Sequence, residues 1–215
     1  MNLYITQNSY YFVHRHFIDF FSEDGSEIIY VQEKSRGILK KYIEIIIFLG
    51  FFNTIKSFFL EIVYLVYLSK IVLKLNSCKV ADKDLNDVLN EKLRSNSYNK
   101  IISIGCPTKI NASLQDVYDV KIYNLHGGIL PHQKGRFSPI KSIKKGNKFL
   151  GASIHIISND FDKGNIVSQN FFQIDKKGIM ENYNRVLLTS SDLLNSFHLG
   201  EFKEIPEEII SSLKN

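Results

Sequence analysis

Short runs of β-branched and aromatic residues alternate along this chain with stretches whose apolar residues recur at helical spacing, and that alternation restricts the fold most. The first run, residues 3–6, leads into Asn8 and Ser9, good N-caps for a predicted helix through Phe12, Phe17 and Phe20. A second predicted strand, 27–32, follows the turn residues Asp24 and Gly25, and a third spans 100–105. Between them Leu85, Val88, Leu89 and Leu93 share one side of a predicted helix. Strands are predicted again at 121–124, 152–157 and 165–174, and helices at 139–145 and 180–194, with a last turn or two within 204–213. Strands separated by helices join as an open, mostly parallel sheet flanked by helices, an α/β fold. No internal repeat, low-complexity segment or linker is evident, so residues 1–215 read as one domain.

Composition narrows the partners. The 215 residues are 44% hydrophobic and 23% charged, which excludes a disordered tail or a fibrous repeat. A formal net charge of +5 suits phosphates or an anionic small molecule and falls short of the dense basic stripe of a nucleic-acid binder. Cys78 and Cys106 are the two cysteines, without metal-type spacing, so neither a disulfide framework nor a cysteine zinc site is expected. The first residues lack the pattern of a secretory signal, and a cytoplasmic location is the expectation.

The segment 37–75 holds most of the isoleucine and phenylalanine excess. Glu44, Lys56, Glu61 and Lys70 interrupt it, and the longest uncharged run, 45–55, is far shorter than the roughly 20 apolar residues of a membrane span. Gly50 reads as a break between two helices. From Asn53 a helix gathers Asn53, Lys56, Tyr67, Lys70 and Lys74 on one side, and Ile55, Phe58, Ile62, Val66 and Leu73 on the other. The first expectation is that this apolar side covers the sheet or a subunit interface, as in a homodimer. The second is an in-plane helix on a membrane surface.

The chemistry-bearing segment is YNLHGGILPHQKGRFSP, residues 123–139. It places Asn124 and His126 two apart at the end of a strand, hence on one face, where open α/β sheets bind ligands. An amide donor beside a titratable imidazole suits the oxyanion of acyl transfer. Asp162, in a turn between two predicted strands, is the candidate carboxylate to favour the imidazolium and take a proton. Other readings stay open: Asn124 and His126 as polar strand ends, Asp160 exchanging roles with Asp162, and His155 as a structural histidine rather than a catalyst. Gly127 and Gly128 either cradle a phosphate or form a turn close to substrate.

These residues resemble the formyltransferases that use 10-formyltetrahydrofolate. That family is similar in carrying Asn-x-His, Leu-Pro and a nearby glycine, matched by Asn124, His126, Leu130, Pro131 and Gly135, with Pro139 in step. A later strand and loop with Asp-x-Gly and then Gln are matched by Gly151, His155, Asp162, Gly164 and Gln169. The resemblance covers about 101–174 and implies a single Rossmann-like formyltransferase domain with its catalytic core at about 100–175. It implies Asn124, His126 and Asp162 as the catalytic trio, passing the formyl group of 10-formyltetrahydrofolate to a primary amine, with no metal. It also implies a pterin pocket between the loops 105–110 and 157–162, with Gly105, Thr108, Ile110, Ile157, Asn159 and Asp160 as donor-binding positions.

Departures from the family narrow the acceptor. Enzymes that formylate initiator methionyl-tRNA carry an inserted basic loop and a second barrel domain, whereas Gly135 runs straight on to Pro139 and the sequence stops at Asn215, so no nucleic-acid partner is expected. Purine-pathway enzymes acting on glycinamide ribonucleotide begin with a glycine-rich phosphate loop, and MNLYITQNSYYF has no glycine there. The remaining resemblance is to sugar-nucleotide N-formyltransferases, which modify an amino deoxysugar on a nucleoside diphosphate for surface polysaccharide assembly. A purine precursor is the second acceptor kept, and a non-catalytic peripheral membrane or interaction protein the third reading. Lys134 and Arg136 are the preferred phosphate contacts, followed by Lys141, Lys144, Lys145 and Lys148, which read equally as a solvated helix face.

Overall fold

The computed structural model describes residues 1–32, 43, 45–47, 49–175 and 178–213. The parts of the predicted 37–75 segment at 37–42, 44 and 48 lie outside the described residues. Strands β1 (Asn2–Gln7), β2 (Glu27–Gln32), β3 (Ser77–Ala81), β4 (Lys100–Ile104), β5 (Ile122–His126), β6 (Phe149–Ile156) and β7 (Ile166–Gln173) form a seven-stranded sheet in the order β3-β2-β1-β4-β5-β6-β7. The first five pair in parallel, while β6 runs antiparallel to β5 and β7 to β6. The helices are α1 (Arg15–Phe21), α2 (Phe51–Val72), α3 (Leu85–Ser95), α4 (Ser113–Tyr118), α5 (Ser138–Lys144), α6 (Ile179–His198) and α7 (Glu207–Ser211).

Successive residues of β1 serve opposite faces of the sheet, and both faces are covered, which is why the strands read as continuous apolar runs. Tyr4, Ile28, Tyr30, Ile102 and Ile154 pack with Phe17, Phe21, Leu193 and Phe197 of α1 and α6. Leu3, Ile5, Ile29, Ile101 and Ile122 pack with Leu85, Leu89 and Leu93 of α3 and Leu114 of α4. The strand order reverses direction between β1 and β4, so the carboxyl ends of β1, β4 and β5 open onto one crevice.

The predicted elements reappear within a residue or two at most ends. The last turns resolve as α7, and Ser9 caps its helix, its Oγ accepting from the Phe12 amide at 3.3 Å. That helix opens as a π-helical turn, Tyr10–His14, ahead of α1. Two elements were not legible in the sequence. The edge strand β3 pairs only with β2 and is short and half polar, and α4 is only six residues long.

Of the coverings expected for the apolar side of the 53–74 helix, the sheet is excluded: that side faces outward on α2, with Ile55 53%, Phe58 52%, Ile62 45% and Val66 72% exposed, and Leu73 beyond its end 85%. The buried positions are instead Thr54, Ser57 and Leu68. Hydrogen bonding and ring contacts fix this orientation. The Glu61 carboxylate accepts from the Tyr10 and Tyr11 amides at 2.5 and 2.8 Å and from Ser9 Oγ at 3.3 Å, filling donors that the start of the π-helical turn leaves open. Arg15 lies over the Tyr64 ring at 4.9 Å, Leu60 and Tyr64 join the Tyr11–Ile140–Met180 cluster, and Lys56 reaches Glu181 at 3.5 Å. None of the described helices is long and apolar enough to cross a membrane.

Three histidines in the packed layers set a pH limit. Burial lowers the pKa of each of His14, His16 and His198 from 6.5 to about 4. From pH 6.5 down to about 4 the unfolded chain binds protons that the folded chain refuses, so stability falls as pH falls through this window. Urea unfolding midpoints should drop between pH 7 and pH ~5.5, where ordinary carboxylates, with pKa values of about 3.9–4.3, stay ionised. A flat midpoint there contradicts the assignment.

Candidate active site

Alternation along β5 sets Asn124 and His126 on one face, and antiparallel pairing places Asn124 opposite His155 and His126 opposite Ser153. The β6–β7 connection then folds over the end of β5 and delivers Asp162. Its Oδ1 lies 3.4 Å from His126 Nδ1 and 3.8 Å from His155 Nε2, while Oδ2 accepts from the Gly135 amide at 2.7 Å. The His126, Asp162 and His155 side chains are only 11%, 10% and 3% exposed, so their mutual electrostatics act with little screening by water.

The local backbone explains the delivery. Asp162 has φ 55°, a left-handed conformation that aspartate tolerates better than most residues. A Cβ on Gly164 would overlap the carbonyl oxygen of Ile156, so only glycine lets the loop pass so close to the end of β6. Gly135 has φ 82°, which turns its amide toward Asp162.

His126 Nε2 is committed at 2.6 Å to the Gln133 carbonyl, with Ser138 Oγ at 3.3 Å donating its own proton to the Gly127 carbonyl. Nδ1 is therefore the nitrogen that faces Asp162 and any bound ligand. Gln133 is fixed in turn: its Oε1 accepts from Ile129 N at 3.0 Å and its Nε2 donates to Phe149 O at 2.8 Å. Ser153 Oγ and Gln169 Nε2 brace the same loop through the Gly128 and Leu130 carbonyls at 2.7 and 2.9 Å.

His155 Nδ1 donates to the Ile156 carbonyl at 3.0 Å, which leaves Nε2 to accept from Asn124 Nδ2 at 3.0 Å. Burial, the leading influence, lowers the His155 pKa and keeps the ring neutral in that role. The Asn124 amide is thereby turned with its second N–H available to a ligand. The sequence reading left His155 between a structural histidine and a catalyst, and its geometry is that of a neutral brace on Asn124. The partners of His126 Nε2 had no sequence signal, because one is a backbone carbonyl and the other, Ser138, carries no distinguishing spacing.

Loops 105–110 and 157–162 lie side by side above β4 and β5, joined where Lys109 Nζ sits 6.0 Å from the Phe161 ring centre. Gly105, with φ 58°, is exposed and Thr108 half-buried, its carbonyl accepting from Cys106 Sγ at 3.3 Å. The Ile110 side chain is buried in the core and Ile157 packs against that core, so either meets a ligand chiefly through its backbone. Asn159 and Asp160 are exposed, and the Lys163 ammonium beside Asp160 at 2.9 Å holds its carboxyl below the usual range. Asp160 thus points to a lysine while Asp162 points into the histidine pair. Lys134 lines a shallow pocket with His132, Ser138, Lys141 and Lys145, and Ser138 connects that pocket to His126. Arg136 does not line it; its guanidinium lies 5.2 Å from the Phe137 ring centre. Lys144 donates to the Ile47 carbonyl at 2.9 Å.

A buried carboxylate, an imidazole and an oriented amide at the carboxyl end of a parallel strand are groups able to accept a proton and to donate hydrogen bonds to a developing oxyanion. Comparison with known proteins agrees. Residues 69–194, more than half of the chain, match the model of the formyl transferase family, and the chain belongs to that family. A methionyl-tRNA formyltransferase from Finegoldia magna is 27% identical over 118 residues, 54% of this chain and 36% of that protein. A dTDP-4-amino-4,6-dideoxyglucose formyltransferase from Mycobacterium tuberculosis is 35% identical over 72 residues, 34% of this chain and 30% of that protein. Among solved structures, a phosphoribosylglycinamide formyltransferase from Campylobacter jejuni shares the fold with a TM-score of 0.61 at 16% identity, covering 93% of this chain and 96% of that one. The chain spans less than half of the length of the curated relatives it matches, from 22% to 47%.

Replacing Gly164 with alanine should push the loop off Ile156 and withdraw Asp162, costing about 1–3 kcal/mol of stability. Urea denaturation measures it; an unchanged midpoint means that the close approach is not needed.

Proposed function

We propose that this protein is an N-formyltransferase that moves the formyl group of 10-formyltetrahydrofolate to the primary amine of a nucleotide-linked amino deoxysugar. The observation that carries the formyl-transfer reading is the Asp162 carboxylate held against His126, beside an Asn124 amide oriented by His155. The donor supplies the activated one-carbon group. The adjoining loops 105–110 and 157–162 are the surface on which it would rest, through Gly105, Thr108, Ile110, Ile157, Asn159 and Asp160.

Each group of the site has one task. Asn124 directs its second amide N–H, and His126 its Nδ1–H, at the oxygen where negative charge develops as the amine attacks. Asp162 draws the proton from the attacking amine and balances the imidazolium; the tetrahedral intermediate then collapses, the bond from the formyl carbon to the donor nitrogen breaks, and tetrahydrofolate leaves with a proton on that nitrogen. The Nε2 bond to Gln133 and the Gly135 amide hold His126 and Asp162 in place before substrate arrives, so little reorganisation accompanies the reaction.

Two features support a nucleoside diphosphate sugar as acceptor. Lys134, Lys141 and Lys145 share a pocket that touches His126 through Ser138, a cationic approach suited to a diphosphate. At the end of β1, where a phosphate loop would bind the phosphate of a purine precursor, the backbone donors of Tyr10 and Tyr11 are already taken by Glu61. The fold likeness to phosphoribosylglycinamide formyltransferases keeps glycinamide ribonucleotide as the second acceptor to test.

Mass spectrometry of the protein with 10-formyltetrahydrofolate and thymidine- and guanosine-diphosphate amino sugars, beside glycinamide ribonucleotide, tests the acceptor. One sugar nucleotide should gain a formyl group; formylation of glycinamide ribonucleotide alone overturns the sugar assignment. His126→Asn should lower kcat at least ~100-fold with folate binding retained, as expected for a donor that acts in the transition state. A kcat within a few-fold of wild type removes His126 from the mechanism.

A further inference from the structure

Twelve large apolar residues between Phe51 and Leu73 are at least two-fifths exposed, and most lie along the side of α2 that points away from the protein. We infer that this outward face of α2 is the surface through which two copies of the chain pair about a two-fold axis. The inference rests on α2 alone and is independent of the proposed reaction.

The apolar residues recur with a period that marks a helix seam. Phe52, Phe59 and Val66 form one row at seven-residue intervals, and Ile55 and Ile62 form the second, each three residues on from a member of the first. A strict seven-residue repeat keeps the same stripe turned toward a partner helix along its length, whereas a helix lying on lipid needs only an apolar side. The same stripe on both copies is self-complementary, as a two-fold interface requires. α2 is 22 residues long, which corresponds to about 33 Å of stripe.

Size and charge point to the same occupant. A fully exposed aromatic side chain presents ~150–250 Å², so the half-exposed rows and their neighbours offer on the order of 800 Å². That equals the ~800 Å² per partner of a standard stable interface and exceeds the ~300–600 Å² patch usual on a monomer. A polybasic lipid-binding surface gathers about four to eight lysines or arginines. α2 and the turn that ends it carry Lys56, Lys70 and Lys74, and Lys56 is engaged with Glu181 at 3.5 Å. The stripe is also held rigidly outward, because Glu61, on the opposite side of α2, bonds the Tyr10 and Tyr11 amides. A preorganised face loses less conformational entropy on pairing.

Sedimentation velocity of the full chain at micromolar concentration, with flotation on vesicles of phosphatidylcholine and phosphatidylglycerol, tests this. Wild type should sediment as a dimer and stay off the vesicles, and Phe59→Glu and Val66→Glu should each shift it to monomer with unchanged circular dichroism. Both side chains are largely exposed, 65% and 72%, so the monomer should tolerate either change. A wild-type monomer overturns the proposal whatever the variants do, and so does a dimer that survives both substitutions. A monomer that floats with vesicles, and loses that on substitution, reassigns the face to a membrane.

Discussion

The hydrogen bond from the Gly135 amide to Asp162 Oδ2, at 2.7 Å, ties together two loops that nothing else in the site joins so directly. One follows β5 and carries the glycine, Gln133 and Ser138; the other links β6 to β7 and carries the carboxylate. Because the bond engages Oδ2, Oδ1 is left to face His126 and His155. A carboxylate so buried needs donors, and the Gly135 amide supplies one. The left-handed backbone at Asp162 and the close passage of Gly164 are the conformations that allow this bond.

How much of this could be read in advance differs from element to element. The parallel strands were legible because burial on both faces leaves continuous apolar runs such as 27–32 and 100–105. Asn124, His126 and Asp162 were legible because chemistry demands particular side chains at particular spacings. What escaped was carried by backbone or by long-range partners. The Gln133 carbonyl on His126 and the Gly135 amide on Asp162 leave no mark of their own in residue identity, and the short edge strand β3 has too little pattern to register.

The helix α2 shows a different limit. Periodicity identified its apolar side but could not say which way that side points. Long-range contacts decide it: Glu61 bonds the open amides at the start of the first helical segment, Arg15 lies over Tyr64, and the small, polar positions Thr54 and Ser57 are turned inward. The Glu61 carboxylate engages the Tyr10 and Tyr11 amides just beyond the end of β1, the observation behind the proposed preference for a sugar nucleotide over a purine precursor. The Glu61 contacts therefore bear on both the outer surface and the proposed choice of acceptor.

The central claim is that Asp162, and not its neighbour Asp160, is the working carboxylate, since Oδ1 of Asp162 faces two histidines while Asp160 is exposed and paired with Lys163. The most direct test compares kcat of Asp162→Asn and Asp160→Asn in formyl transfer from 10-formyltetrahydrofolate, with folding verified for each. The account predicts a loss of at least ~100-fold for Asp162→Asn, in the range of a positioned proton acceptor, and a change within a few-fold for Asp160→Asn. An active Asp162→Asn beside an inactive Asp160→Asn contradicts it.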